Sequence, residues 1–170
     1  MVAELPEMWR EELVHPLFVH FPIALLISGS ILLIVTHFPL STKFRDNFVF
    51  SSRLLLVTGS FFSWVTVYTG TLADSVVGRE VCDPTVLEDH ERYGYYVSIL
   101  FSIVSLLEIS FYYIKPKLKV NLYKLLRTLS LLIAIGGTVF LGYEAHLGGK
   151  LVYQQAAGVH QPSNNCKEFE

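Results

Sequence analysis

Charged residues divide the chain into four long apolar segments. No Lys, Arg, Asp or Glu occurs at positions 13–42 or 54–73, and positions 93–114 contain only Glu108. The fourth segment covers positions 128–146. A helix needs roughly 20 apolar residues to cross a bilayer. The pattern therefore predicts four transmembrane helices, at about residues 15–38, 50–73, 91–114 and 122–147.

Composition supports this prediction and limits the function. The 170 residues are 52% hydrophobic and 16% charged, with a mean hydropathy of +0.45, whereas soluble domains are about 25% charged. The net charge of −2 argues against a nucleic-acid partner. Four glutamates among the first dozen residues argue against a cleavable signal peptide. We expect an all-α protein: a single transmembrane domain over residues 1–170, folded as an antiparallel four-helix bundle.

The distribution of Lys and Arg predicts the orientation of this bundle. The first and third connections, with the adjoining helix ends, carry eight basic residues, and the other side carries five over longer segments. The eight are Lys43, Arg45, Arg53, Lys115, Lys117, Lys119, Lys124 and Arg127; the five are Arg10, Arg79, Arg92, Lys150 and Lys167. Because cytoplasmic loops are enriched in basic residues, both termini are expected outside. The protein would then lie in a bacterial inner membrane with periplasmic termini.

Four of the six histidines gather at the predicted outer ends of the helices. They are His15, His20, His90 and His146. Polar groups inside a bilayer are costly and usually face the bundle or a bound group. Imidazole is a common ligand of metals and of haem iron, so the cluster predicts a cofactor site. The alternative is a set of interfacial histidines that bond to headgroups, water or backbone.

His15 and His20 are not expected to serve the same ligand. A spacing of five residues turns the side chain by about 140° and moves it about 7 Å along the axis. Because Pro16 disfavours a helical conformation in the residue before it, we expect His15 in a non-helical cap. His20 is then the better ligand within the membrane.

The absence of a CxxCH motif from the chain excludes covalent attachment of haem. Any haem would be b-type, and two histidines on different helices would ligate its iron from both faces. The predicted ligands are His20, His90 and His146, with His15 as a fourth, for one or two haems. Arg92 and Lys150 are candidate partners of the haem propionates.

Two segments resemble the DUF2231 family of small bacterial membrane proteins. They are HPLFVHFPIALL at positions 15–26 and GYEAHLGGKLVY at 142–153. His90 matches a histidine that such proteins carry before the third helix. The resemblance implies a four-helix membrane protein with a b-type haem or another redox role. Many relatives have His-Gly where this chain has Gln155-Ala156.

Other polar residues carry weaker predictions. Glu108 is expected near the cytoplasmic interface, reaching toward Lys115 or Lys124; a proton relay or a quinone site is the alternative. Gly148-Gly149 is expected to end the fourth helix, with an outer cap over residues 148–170. Cys82 and Cys166 are both predicted outside, where they would form a disulfide or a copper site.

The leading hypothesis is therefore electron transfer by a membrane-embedded cytochrome or cytochrome subunit. Its expected partners are membrane lipid, quinol and a periplasmic redox protein, within a homo-oligomer or a larger respiratory complex. The first alternative is a metal-handling protein that binds copper, zinc or iron at the same histidines. The second is a structural accessory subunit. No residue pattern in the chain establishes catalysis.

Overall fold

The computed structural model describes residues 7, 9–114 and 117–159, which form four α-helices. These are α1 (Glu11–Val35), α2 (Thr42–Val77), α3 (Pro84–Ile114) and α4 (Val120–Gln155). No strand occurs in these ranges. All four helices are long and apolar enough to cross a membrane. The predicted all-α fold with four spans is confirmed, and its orientation stays a prediction.

The helices are longer than the apolar segments that predict them. The first turns of α2 and α3 contain polar residues that extend the helix beyond its apolar part. The helix end predicted at Gly148-Gly149 is wrong, since α4 runs through both glycines to Gln155. The next residue, Ala156, has a left-handed backbone (φ 54°). This conformation often follows a helix. Positions 148–155 of the expected cap are therefore helical, and positions 160–170 lie outside the described residues.

The helices form an antiparallel bundle because short connections join each to the next. Helix α1 packs on α2, α2 on α3, α3 on α4 and α4 on α1. Helices α1 and α3 therefore face each other across the bundle. We call the end where α1 and α3 begin, containing His15 and His90, the histidine end. The opposite end, containing Arg53 and Arg127, is the arginine end.

The interior is formed by apolar side chains and small residues. Leu26, Leu56 and Phe101 are fully buried, whereas many large apolar side chains are exposed on the outer faces, as expected where lipid replaces water. The Ser52 hydroxyl donates to the Gly29 carbonyl at 2.9 Å. Such small polar residues let transmembrane helices approach closely and bond across their interface.

Side chains at the histidine end tie the α2–α3 connection to the end of α4. The amide of Gln155 accepts from the backbone N–H of Asp83 at 2.8 Å and donates to its carbonyl at 3.3 Å. Gln155 thus holds the connection in place. The hydroxyl and backbone N–H of Thr85 donate to the Asp83 carboxylate and lower its pKa.

Candidate functional site

His15 on α1 and His90 on α3 meet at the histidine end. Their ring centroids are 6.1 Å apart, and the ring planes are nearly perpendicular at 85°. Helix α1 begins at Glu11, so the prediction that His15 lies in a non-helical cap is wrong. Pro16 and Pro22 both lie inside α1, and each removes one backbone hydrogen bond of the helix. The structure thus brings two imidazoles from opposite helices together.

Each imidazole is fixed through Nδ1 by a carbonyl of a flanking helix. His15 Nδ1 lies 3.1 Å from the Thr66 carbonyl oxygen on α2. His90 Nδ1 lies 3.2 Å from the Glu144 carbonyl oxygen on α4. A carbonyl only accepts, so each Nδ1 must carry the proton. In the neutral ring this leaves the Nε2 lone pair for a ligand, the arrangement typical of metal-bound histidine.

Two glycines make room for the rings. A Cβ at Gly70 on α2 would lie 3.2 Å from His15 Cε1, and one at Gly148 on α4 would lie 3.1 Å from His90 Cε1. Contacts this short require a neighbour to move. The two glycines therefore let α2 and α4 pack closely against the imidazole rings. This packing restricts the positions of the rings.

Glu144 adds a carboxylate to the site. It is buried, and its Oε1 lies 3.2 Å from His90 Nδ1, the same nitrogen that bonds to the Glu144 carbonyl. A carboxylate behind a histidine orients the ring and makes it a stronger ligand. Within the described residues, the buried hydroxyl of Thr66 has no hydrogen-bond partner. A polar atom of a bound group or a water would satisfy it.

The other predicted ligands lie away from this pair. His20 and His146 are exposed, and His20 Nδ1 bonds to the Pro16 carbonyl of its own helix at 2.7 Å. His37 lies at the arginine end, where its Nδ1 bonds to the Leu33 carbonyl. In the part of the chain that the structure describes, no three histidine, cysteine or acidic side chains are placed to hold a metal ion.

The predicted propionate partners have different surroundings. Arg92 is paired with Asp89, and Lys150 is half-buried on the last turns of α4. A third cation at this end, Arg10, pairs with Glu12 at 3.0 Å and donates to the Gly158 carbonyl at 3.3 Å. Its Nε is buried and, within the described residues, has no partner. Arg10 precedes α1, and it was not predicted from the sequence as a partner of the haem propionates.

The prediction that Glu108 reaches the membrane interface is wrong. It is fully buried, and Arg53 Nε donates to its Oε2 at 3.3 Å while the Ser130 hydroxyl donates to its Oε1 at 3.0 Å. Its partner is thus Arg53 on α2 and not Lys124, and Lys115 lies outside the described residues. Cys82 is exposed, and the predicted disulfide involves Cys166, which lies outside the described residues.

The chain matches a known protein family. The family model DUF2231, described as a predicted membrane protein, matches residues 12–161. The match includes both histidines of the pair and all four helices except the first residue of α1. No curated protein and no solved structure matches the chain.

Proposed function

The chain belongs to the DUF2231 family of predicted membrane proteins, and we propose that it binds one b-type haem through His15 and His90 and transfers electrons. The observation that carries the proposal is the pair of Nδ1 bonds to the Thr66 and Glu144 carbonyls. These bonds leave two Nε2 ligands on facing helices. His15 and His90 would hold the haem through these two nitrogens, since imidazole is a common ligand of haem iron.

The donor atoms of the two imidazoles suit a haem. The two imidazoles are held by backbone and fitted against glycines, so they are positioned before any ligand arrives. Haem would supply one-electron chemistry. Of the cations at this end, Arg10 has an unpartnered buried Nε within the described residues, and we add it to Arg92 and Lys150 as a propionate partner.

The test is the haem content of four single variants. His15→Ala and His90→Ala are expected to lose haem b, measured as the pyridine haemochrome of protein expressed with ample haem supply. His20→Ala and His146→Ala remove exposed histidines and are expected to keep it. Exogenous imidazole is expected to restore the haem spectrum of His15→Gly and His90→Gly, which separates ligand loss from misfolding.

Two results would reject the haem proposal. One is a wild-type protein without haem b under these conditions, and the other is equal haem loss in all four alanine variants. The alternative is a metal ion at the same pair, favoured by the Glu144 carboxylate behind His90. Elemental analysis showing equimolar copper, zinc or iron without a Soret band would establish it. Unchanged behaviour of every variant would instead favour a structural accessory subunit.

We infer that the histidine end faces the periplasm of a bacterial inner membrane. The support is the concentration of Lys and Arg toward the arginine end. A haem there would exchange electrons with quinol in the bilayer and with a periplasmic redox protein, in a homo-oligomer or a respiratory complex. Cys82 is exposed at this end. In a Cys166→Ser background, which prevents the predicted disulfide and leaves one thiol, a membrane-impermeant maleimide is expected to label Cys82 in cells with a permeabilised outer membrane. Labelling of Cys82 only after lysis of the inner membrane would reverse the orientation; a Cys82→Ser variant is the control.

A further inference from the structure

A large cavity opens at the arginine end, far from the histidine pair. Its volume is about 1290 Å³, and it is lined by residues of α2, α3 and α4 together with Thr36 and His37, which follow α1. Pockets for drug-sized molecules measure roughly 300–1,000 Å³, so this cavity has room for a larger ligand. It lies where the helices end, at the depth expected for lipid headgroups.

The polar part of the cavity is strongly basic. Among the described residues, its charged lining consists of Arg45, Arg53, Lys124 and Arg127 with one carboxylate, Asp46. Arg53 is partly neutralised by Glu108 beneath it. The other three cations therefore dominate the field in the opening. An anionic ligand would be attracted there.

Arg127 shows that this polar part is built into the bundle. It is buried, and its guanidinium donates to the hydroxyl of Thr36, which directly follows α1, at 2.7 Å and to the Tyr123 hydroxyl at 3.4 Å. Thr36 in turn donates to the Leu33 carbonyl at 2.7 Å. These bonds hold the charge at the cavity wall. Arg45 and Lys124 are exposed and supply cations at the rim, where Arg45 donates to the Phe38 carbonyl at 3.4 Å.

The remaining wall is apolar. It includes Val49, Leu54 and Val57 of α2 and Ile109 of α3. A free phosphate ion would contact the cations and leave this wall unused. A ligand with an anionic head and a hydrocarbon chain matches both parts. Basic pockets between transmembrane helices are known to hold anionic lipid headgroups.

We propose that the cavity at the arginine end binds one anionic phospholipid, with the phosphate against Arg127, Arg45 and Lys124. Its acyl chain lies along the apolar wall formed by α2 and α3. This binding does not depend on the histidine pair. It gives the protein a specific lipid partner.

The experiment is a lipid competition on the purified full-length protein. The protein is placed in mixed micelles of detergent with equal amounts of dioleoyl phosphatidylglycerol and dioleoyl phosphatidylcholine, and bound lipid is counted by native mass spectrometry. Wild-type protein is expected to retain phosphatidylglycerol in preference to phosphatidylcholine. Each cation near a lipid phosphate is worth about fivefold in binding, so Arg45→Gln with Lys124→Gln is expected to reduce this preference by about 25-fold.

The matched control removes two other cations from the same end. Lys43 and Lys119 are exposed and do not line the cavity, so Lys43→Gln with Lys119→Gln is expected to keep the wild-type preference. The proposal fails if wild type binds both lipids equally, or if the two double variants lose the preference to the same extent. It also fails if inorganic phosphate raises the thermal stability of the protein as much as phosphatidylglycerol does, since the site would then be an ion site.

Discussion

Arg53→Met is expected to lower the free energy of unfolding by about 3–5 kcal/mol. Glu108 is fully buried, and its Oε2 accepts a hydrogen bond from Arg53 Nε at 3.3 Å. The methionine side chain reaches about as far as the Nε of arginine but has no donor, so of these two hydrogen bonds the carboxylate keeps that from the Ser130 hydroxyl at 3.0 Å. A buried charge without its partner is costly because the interior screens it poorly. The loss is measured as a shift of the unfolding transition in detergent, followed by circular dichroism.

Two further variants show whether the ion pair causes this loss. Lys43→Met removes an exposed cation of the same helix and is expected to change stability by less than about 0.5 kcal/mol. Arg53→Met with Glu108→Leu replaces the pair by apolar groups and is expected to recover most of the loss. A double variant as unstable as Arg53→Met would contradict the argument, because it would attribute the loss to shape and not to the unpaired carboxylate.

The four helices were predictable because the bilayer imposes one simple rule on the sequence. A chain that crosses hydrocarbon must satisfy its backbone within each helix and cover it with apolar side chains. Long segments without charge follow directly from that rule. The helix ends were less predictable, since α2 and α4 continue as helices beyond the apolar segments. At Gly148-Gly149 the close packing of Gly148 against His90 outweighs the helix-ending tendency of glycine.

The partners of each polar residue were harder to predict than the helices. The sequence placed His15 and His90 at the same end, yet it favoured the deeper His20, which is exposed. To predict which histidine faces the interior, one must know how each helix is rotated about its axis. These helices are apolar on all sides, so their sequences give little indication of that rotation. Glu108 shows the same limit. A glutamate within a span signals a buried partner, but Arg53 lies 55 positions away on another helix.

The second large effect is expected at the contact between α1 and α2. A Cβ at Gly59 would lie 2.7 Å from Leu26 Cδ2 and 3.0 Å from Leu25 Cβ. Gly29 faces Leu56 in the same way, with a Cβ there at 2.9 Å from Leu56 Cγ. Each helix therefore places a leucine over a glycine of the other. This interlocking brings the backbones close, as small residues do in membrane helices.

Gly59→Leu is expected to cost about 2–3 kcal/mol of unfolding free energy or more. The added side chain must push α1 away, and that movement loses the packing of Leu26, which is fully buried. Gly136→Leu is the control at a similar depth on α4, since a Cβ there meets nothing within 4 Å. Both substitutions add the same apolar side chain and remove a helical glycine, so their difference isolates the contact with α1. The same detergent unfolding transition measures it, and equal stability of the two variants would show that α1 and α2 are not held by this contact.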